Sequence, residues 1–388
     1  MAGVAGRVLG SDMRVLVTGG AGFIGSHTAD ALIDRGHSVR ILDSLEKPVH
    51  TAGKPAYLHP KVEFVLGDVT RREDVLTALE DIDAVVHLAA YQDYLPDFSK
   101  FFRVNAAGTA LLYELIVEKK LPVRKVVVAS SQAVYGEGRH RCPDGRTVYP
   151  PIRSEDRLRA QRFEVPCPDG EGETTWEPTD ESVVNPENQY ALSKHSQEQI
   201  AIRLGRRYAI PTVALRYSIV QGARQSFYNA YSGACRVFCL NLHFDRDPVI
   251  YEDGLQVRDF VNIHDAVDAN LLVLEDPRAD YEVFNVGGGR AYTVNEFARI
   301  AGEAFGKTVE PRPSGLYRFG DTRHICSDIG KLRALGWEPR LTPADSVAEY
   351  VSWLRSQENV EDIFAYAQRT MKAMDVVRAV KAGSEAAP

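Results

Sequence analysis

Met13-Arg-Val-Leu-Val-Thr-Gly19-Gly-Ala-Gly22-Phe-Ile-Gly25 decides the fold of this chain. The run up to Thr18 is mostly apolar and β-branched and stops at glycine, which reads as a buried strand. Glycines at 19, 22 and 25 let the backbone turn tightly and come close to a pyrophosphate. The helix opening at Phe23-Ile24 offers unpaired N–H groups and the positive end of its dipole to those phosphates. Helical periodicity runs on to Arg35, and Gly36 closes it. The next strand, Ser38-Val-Arg-Ile-Leu-Asp43, ends in an acid. A carboxylate there accepts hydrogen bonds from adenosine ribose hydroxyls and repels a 2′-phosphate, which predicts NAD rather than NADP, with Arg40 on the same strand as the one opposing feature. Gly19, Gly22, Phe23, Ile24, Gly25 and Asp43 are the first expected cofactor contacts.

Working outward, β-branched runs at 62–66, 84–88, 125–129 and 212–216 alternate with helical stretches at about 105–120 and 190–208. Apolar strands alternating with helices predict an α/β fold, a doubly wound parallel sheet (Rossmann) with a smaller C-terminal α/β substrate domain. The expected boundaries are an NAD-binding domain over 13–215, a mainly substrate-binding domain over 216–345 with segments returning to the first, and C-terminal helices and tail over 346–388. Asp68 and Val69 end the third strand, where Asp68 can reach an adenine amino group. Leu88, Ala89 and Ala90 end the fourth with small residues against which a cofactor can lie. The stretch 137–182 is polar and without a strong period, so it is expected to be an inserted loop packed over the substrate mouth.

The 388 residues carry a net charge of -7, which argues against nucleic-acid binding. No apolar stretch approaches the ~20 residues of a membrane span. Residues 1–12 lack the apolar core of a secretion signal and read as a flexible lead-in, the last seven residues read as a frayed tail, and a cytoplasmic location is expected. Five cysteines without such a signal argue against a disulfide framework. Cys235 and Cys239 read as a buried helix face. Cys142 and Cys167, each followed by Pro-Asp-Gly, have His140 as their one nearby partner, short of the four ligands a zinc site needs, so no metal is expected.

Tyr190-Ala-Leu-Ser-Lys194 places a phenol and an ammonium on one helical face. A free tyrosine, with a pKa near 10, is a poor base. A neighbouring ammonium and a positive nicotinamide both favour its phenolate, the base needed for hydride removal at a carbinol. Ser131, at the end of the fifth strand and ahead of Gln132-Ala-Val-Tyr-Gly136, can hold the reacting oxygen.

The glycine turn, the paired serines ahead of Val-Tyr-Gly and the Tyr-x-x-x-Lys together resemble the extended short-chain dehydrogenase/reductases, over roughly 13–343. The resemblance implies Tyr190 as base, Lys194 on the nicotinamide ribose and Ser131 as third catalytic residue. It implies a nucleoside-diphosphate sugar as substrate and a homodimer through the two long helices. In the 4,6-dehydratase branch an Asp-Glu pair follows the catalytic hydroxyl residue, and in the uronate decarboxylases a Glu lies two residues on. Gln132 and Ala133 stand there instead, which leaves C4 epimerisation, with Gln132 on the substrate side. Val257-Arg258-Asp-Phe and Tyr317-Arg318-Phe-Gly-Asp-Thr-Arg323 resemble the segments that meet the diphosphate, so Arg258, Arg318 and Arg323 are expected to bind substrate. The usual asparagine after Leu-Arg-Tyr is missing, and Ser218, Gln221 or Gln225 are its replacements. The long insertion and the 90–95 segment resemble the bacterial dTDP-L-rhamnose 4-epimerases, with Tyr91 and Tyr94 toward a 6-methyl group. Epimerisation of another UDP- or GDP-hexose, dehydration, decarboxylation and a non-catalytic NAD-binding regulator are the alternatives.

Overall fold

A computed structural model describes residues 12–93, 95–228 and 233–381. The lead-in at 1–11, Tyr94 and the tail after 381 lie outside the described residues. Seven strands form one parallel sheet: β1 (Arg14–Thr18), β2 (Ser38–Asp43), β3 (Glu63–Leu66), β4 (Ala84–His87), β5 (Lys125–Ser131), β6 (Thr212–Tyr217) and β7 (Val283–Val286). Their spatial order is β7-β6-β5-β4-β1-β2-β3. The order reverses between β1 and β4, the switch point at which doubly wound sheets hold ligands.

The strands alternate as a two-sided core requires. Val15, Val17, Ile41, Val86, Val127 and Leu215 pack with Ala29, Leu32 and the helix Ile263–Glu275 on one face. Leu16, Leu42, Val85, Val126 and Val128 pack with Val75, Leu79, Leu112, Leu115 and Ala201 on the other. Successive strand residues point to opposite faces, so a strand buried on both sides reads as a continuous apolar run. A further cluster of Phe238, Phe260, Phe297, Val347 and Tyr350 lies among the elements after Gly222.

Three elements depart from the sequence reading. β7 was not located in the sequence, which has no visible period there and gives only that segments of 216–345 return to the first domain; it pairs in parallel with β6 from Val283 beside Ala214 to Val286 beside Tyr217. The helix expected at 105–120 starts earlier, at Phe98, and winds as a π-helix over Phe102–Ala107 before continuing as Gly108–Glu118. The insertion is structured. His140–Arg141 pairs antiparallel with Thr147–Val148 and with Thr175–Trp176, and a short helix spans Glu155–Arg159. Cys142 and Cys167 form a disulfide across it, with Cα atoms 5.5 Å apart, which corrects the expectation drawn from cysteine number. An odd count constrains pairing only if every cysteine must be used. Cys235, Cys239 and Cys326 are free and buried.

The first turn is fixed by contact. A Cβ on Gly25 would lie 2.2 Å from the Gly19 carbonyl oxygen, and one on Gly19, whose φ is +67°, would lie 2.7 Å from the Ala89 nitrogen. Backbone cannot move aside as a side chain can. Gly25→Ala should therefore destabilise the protein by about 1–3 kcal/mol and loosen NAD together with it, measured by urea unfolding and by cofactor content after gel filtration.

Candidate active site

A cleft of about 680 Å³ runs along the C-terminal ends of β1, β2, β4 and β5 and on between the elements after Gly222. The helix Phe23–Asp34 opens into it at Gly22, with no side-chain cap and no acid in its first turn. An uncapped helix start aimed at a cavity is a site for anionic oxygens. Gly19, Gly22, Phe23, Ile24, Gly25, Asp43, Asp68, Val69, Leu88, Ala89 and Ala90 all line this cleft. Asp43 is held from behind: its Oδ2 accepts from the Ala21 N–H at 3.0 Å and its Oδ1 from the Leu45 N–H at 2.9 Å. Arg40 is turned away, donating to the carbonyls of Thr77, Ala78 and Glu80 and pairing with Glu63. It is structural, and no cation on β2 opposes Asp43 at the cleft. These residues fit an NAD molecule with free ribose hydroxyls.

Tyr190 and Lys194 sit on the first turns of Gln189–Tyr208, which is capped by the Asn188 side chain accepting from the Ala191 N–H at 2.9 Å. The Ser131 side chain lies close enough to the Tyr190 phenol to favour its anion. Ser131 also caps the 3₁₀ turn after β5, accepting from the Ala133 N–H at 3.2 Å. Burial pushes the phenol up to about 12, while Ser131 pulls it down. Burial pulls the Lys194 ammonium down to about 7, against the attraction of Glu198. Both groups are dried, and each is pushed toward its neutral form. A further positive charge in the cleft is what would favour the phenolate.

Behind them lie residues that the sequence reading missed. Lys194 Nζ donates to Gln197 Oε1 at 2.5 Å, and Gln197 Nε2 donates to Thr109 Oγ1 at 3.0 Å. Glu198, fully buried, accepts from Ser130 Oγ at 2.9 Å and takes Arg216 on both oxygens, at 2.9 and 2.7 Å. Arg216 also donates to Tyr135 Oη at 2.9 Å, and that hydroxyl donates to Asn285 Oδ1 at 2.6 Å. Tyr190, Lys194 and Glu198 stand at four-residue intervals, a signal the sequence did carry.

On the substrate side, Gln132, Ser218, Gln225, Arg258 and Arg318 line the cleft. Gln132 Oε1, Ser218 Oγ and Gln225 Oε1 are buried without a protein partner, acceptors left for a ligand. Gln221 is fully buried, away from the cleft. Gln256, two residues before Arg258, was missed; it lines the cleft with its Oε1 unpartnered. Tyr91 reaches the cleft and donates to Asp97 Oδ2 at 2.7 Å. Arg323 is a correction. Its guanidinium is fully buried and pairs with Glu164, Glu252 and Asp253, away from the cleft. The insertion is another: no residue between 137 and 182 lines the cleft. A guanidinium matched by carboxylates is a structural ion, and the sequence alone does not reveal that match.

The model of the NAD dependent epimerase/dehydratase family matches residues 15–156 and 167–287. The chain belongs to this family. A dTDP-L-rhamnose 4-epimerase of Burkholderia thailandensis is 32% identical over 89% of this chain and 95% of that protein. A putative UDP-glucose 4-epimerase of Methanocaldococcus jannaschii is 31% identical over 88% of this chain and 98% of its own. The crystal structure of a UDP-glucose 4-epimerase from Thermotoga maritima with UDP-glucose superposes with a TM-score of 0.72 at 30% identity, covering 88% of this chain and 99% of that one. That of Thermus thermophilus UDP-glucose 4-epimerase with NAD gives 0.68 at 29% identity, over 89% and 99%. NAD is the cofactor of this family member. Among the described residues, no helix is long and apolar enough to cross a membrane.

The lowered Lys194 has a thermodynamic consequence. Between about 7 and its unfolded value the lysine is neutral when folded and charged when unfolded, so the unfolded chain binds more protons. The burial penalty is complete below about pH 7 and fades as pH rises through that window. In cofactor-stripped protein, Lys194→Met should flatten the rise of stability between pH 7 and 10 seen in the wild type, measured by denaturant unfolding across pH.

Proposed function

We propose that this protein inverts C4 of a nucleoside-diphosphate hexose through a transient 4-ketone, with dTDP-L-rhamnose and dTDP-6-deoxy-L-talose as the substrate pair. The observation that carries the reading is the meeting of Ser131, Tyr190 and Lys194 in one cleft with an uncapped helix start, with Gln132 and Ala133 where an elimination would need a carboxylate.

Bound NAD supplies a reversible hydride acceptor. Ser131 holds the O4 hydroxyl and Tyr190 takes its proton and later returns it to the alkoxide of the product. Lys194, one turn on, holds the nicotinamide ribose and biases the phenol toward its anion. Asp43 takes the adenosine ribose, and Asp68 the adenine. Arg258 and Arg318 hold the diphosphate, so that the ketone can turn over while its carrier stays fixed. Gln132, Ser218 and Gln225 offer acceptors to sugar hydroxyls, and Tyr91 stands near enough to the cleft to meet an apolar C6. The names of the similar curated proteins support epimerisation over dehydration. A non-catalytic regulator would have no need of both Tyr190 and Lys194. We read 13–215 as the NAD-binding part, 216–345 as mainly substrate-binding and 346–388 as C-terminal helices and tail. Exposed Phe98, Phe102 and Leu192 on the two long helices favour a homodimer; a monomeric mass at micromolar concentration would count against it.

Incubation with a panel of dTDP-, UDP- and GDP-hexoses, followed by NMR, should give the C4 epimer of one of them with no net NADH absorbance. Tyr190→Phe should slow turnover by at least about 10²–10⁴-fold while NAD stays bound. Accumulating NADH, or an unsaturated or decarboxylated product, would sink the reading.

A further inference from the structure

The insertion lies outside the cleft, yet it grips one of the two arginines assigned to the diphosphate. Arg258 makes its hydrogen bonds to carbonyls: Nη1 to Val257 O at 2.9 Å and Arg323 O at 3.0 Å, and Nη2 to Thr322 O at 2.8 Å. Carbonyls orient a guanidinium without cancelling its charge, as a carboxylate partner would. The position of Arg258 therefore depends on the backbone at 322–323.

That backbone is pinned from the insertion side. Glu137 Oε2 accepts from the Arg323 N–H at 2.6 Å, Gly136 O accepts from Thr322 Oγ1 at 2.9 Å, and Arg153 Nη2 donates to Asp321 O at 2.9 Å. Glu137 and Arg153 are themselves locked in a dry ion cluster. Arg153 contacts Glu137 Oε1 at 3.3 Å and takes Glu252 on both oxygens at 2.8 and 2.9 Å. The side chains of Glu137, Arg153 and Glu252 are at most 2% exposed. Arg323 ties the same Glu252 to Glu164 of the insertion. From below, the Ile325 N–H bonds Val257 O at 3.2 Å, so 321–325 is clamped between the insertion and the Arg258 strand.

We propose that the 137–182 insertion is a buttress, in which Glu137 and Arg153 act as positioning residues that set the Thr322–Arg323 carbonyls and through them aim Arg258 at the diphosphate of the substrate. This rests on the reading of Arg258 given above. The insertion then acts on how tightly the phosphates are held, with no contact to the sugar or to NAD.

The test compares wild type, Arg258→Ala, Glu137→Gln and Arg153→Lys as NAD-loaded proteins. Binding of dTDP and UDP is measured by calorimetry and of the phosphate-free nucleosides by NMR titration, alongside kcat and KM on the active sugar nucleotide. Arg258→Ala should weaken the diphosphate by about 10–100-fold. Glu137→Gln, which keeps the side-chain volume, should weaken it by about 5–10-fold, raise KM in step and leave kcat, nucleoside binding and NAD content unchanged. Should Glu137→Gln not fold, Thr322→Val, which cuts the hydroxyl bond to Gly136 O, asks the same question. If Arg258→Ala binds diphosphate as the wild type does, the assignment of Arg258 falls and the buttress with it. If Arg258→Ala weakens binding while Glu137→Gln and Arg153→Lys do not, the buttress alone is overturned. Equal loss of nucleoside and diphosphate binding, or a fall in kcat and NAD content together, would mark a general structural role and overturn it too.

Discussion

Glu198 and Arg216 form the joint on which the site depends. The pair lies fully inside the protein, where each ion has lost its water. Alone such a pair contributes little net stability, but removing one partner strands the other and costs about 3–5 kcal/mol. Here the remaining polar atoms are occupied as well: Glu198 takes Ser130, and Arg216 takes the Tyr135 hydroxyl and the Glu181 carbonyl. One cluster thus ties the helix Gln189–Tyr208 to β5, to β6, to the turn after β5 and, through Asn285, to β7. Ser131 and Tyr190 face each other because the residues beside and below them are joined there.

Two kinds of buried charge divide the labour. Around the phenol, burial works against ionisation of both Tyr190 and Lys194, opposed by Ser131 at the phenol and Glu198 at the ammonium. Around the insertion, cations and carboxylates are matched almost group for group, and Glu137 is lifted to about 7 by burial. The first arrangement holds two titratable groups near their neutral forms. The second leaves none to spare, and its product is rigidity.

The sheet was legible because both its faces are covered: β1, β2, β4 and β5 read as short, mostly apolar runs, with Arg40 the buried exception in β2, and turn residues and helical stretches separate them. The glycine turn was legible because contact distance, rather than propensity, selects glycine at 19 and 25. A tyrosine and a lysine four apart are common; Tyr190 and Lys194 could be picked out because they open a helix in a chain that also carries the glycine turn and Ser131 at a strand end. β7 was hidden by its brevity. The insertion was hidden because two-residue strands, a disulfide and ion pairs between residues far apart leave no period. Arg318 and Arg323 look alike in sequence; only the carboxylates that fold around Arg323, from 164, 252 and 253, separate them.

The π-wound stretch Phe102–Ala107 bears on how this chain tolerates a change of length. A π turn holds one residue more than an α turn, so it stores a single spare residue in mid-helix. Asn105, within it, reaches both the Tyr91 backbone and the Ser193 hydroxyl, 2.7–3.0 Å away on either side. Each residue advances an α-helix by about 100°. Deleting one residue here would tighten the winding to an ordinary helix and leave one of its two halves facing the wrong neighbour: either the floor of the cleft or the helix that carries the phenol.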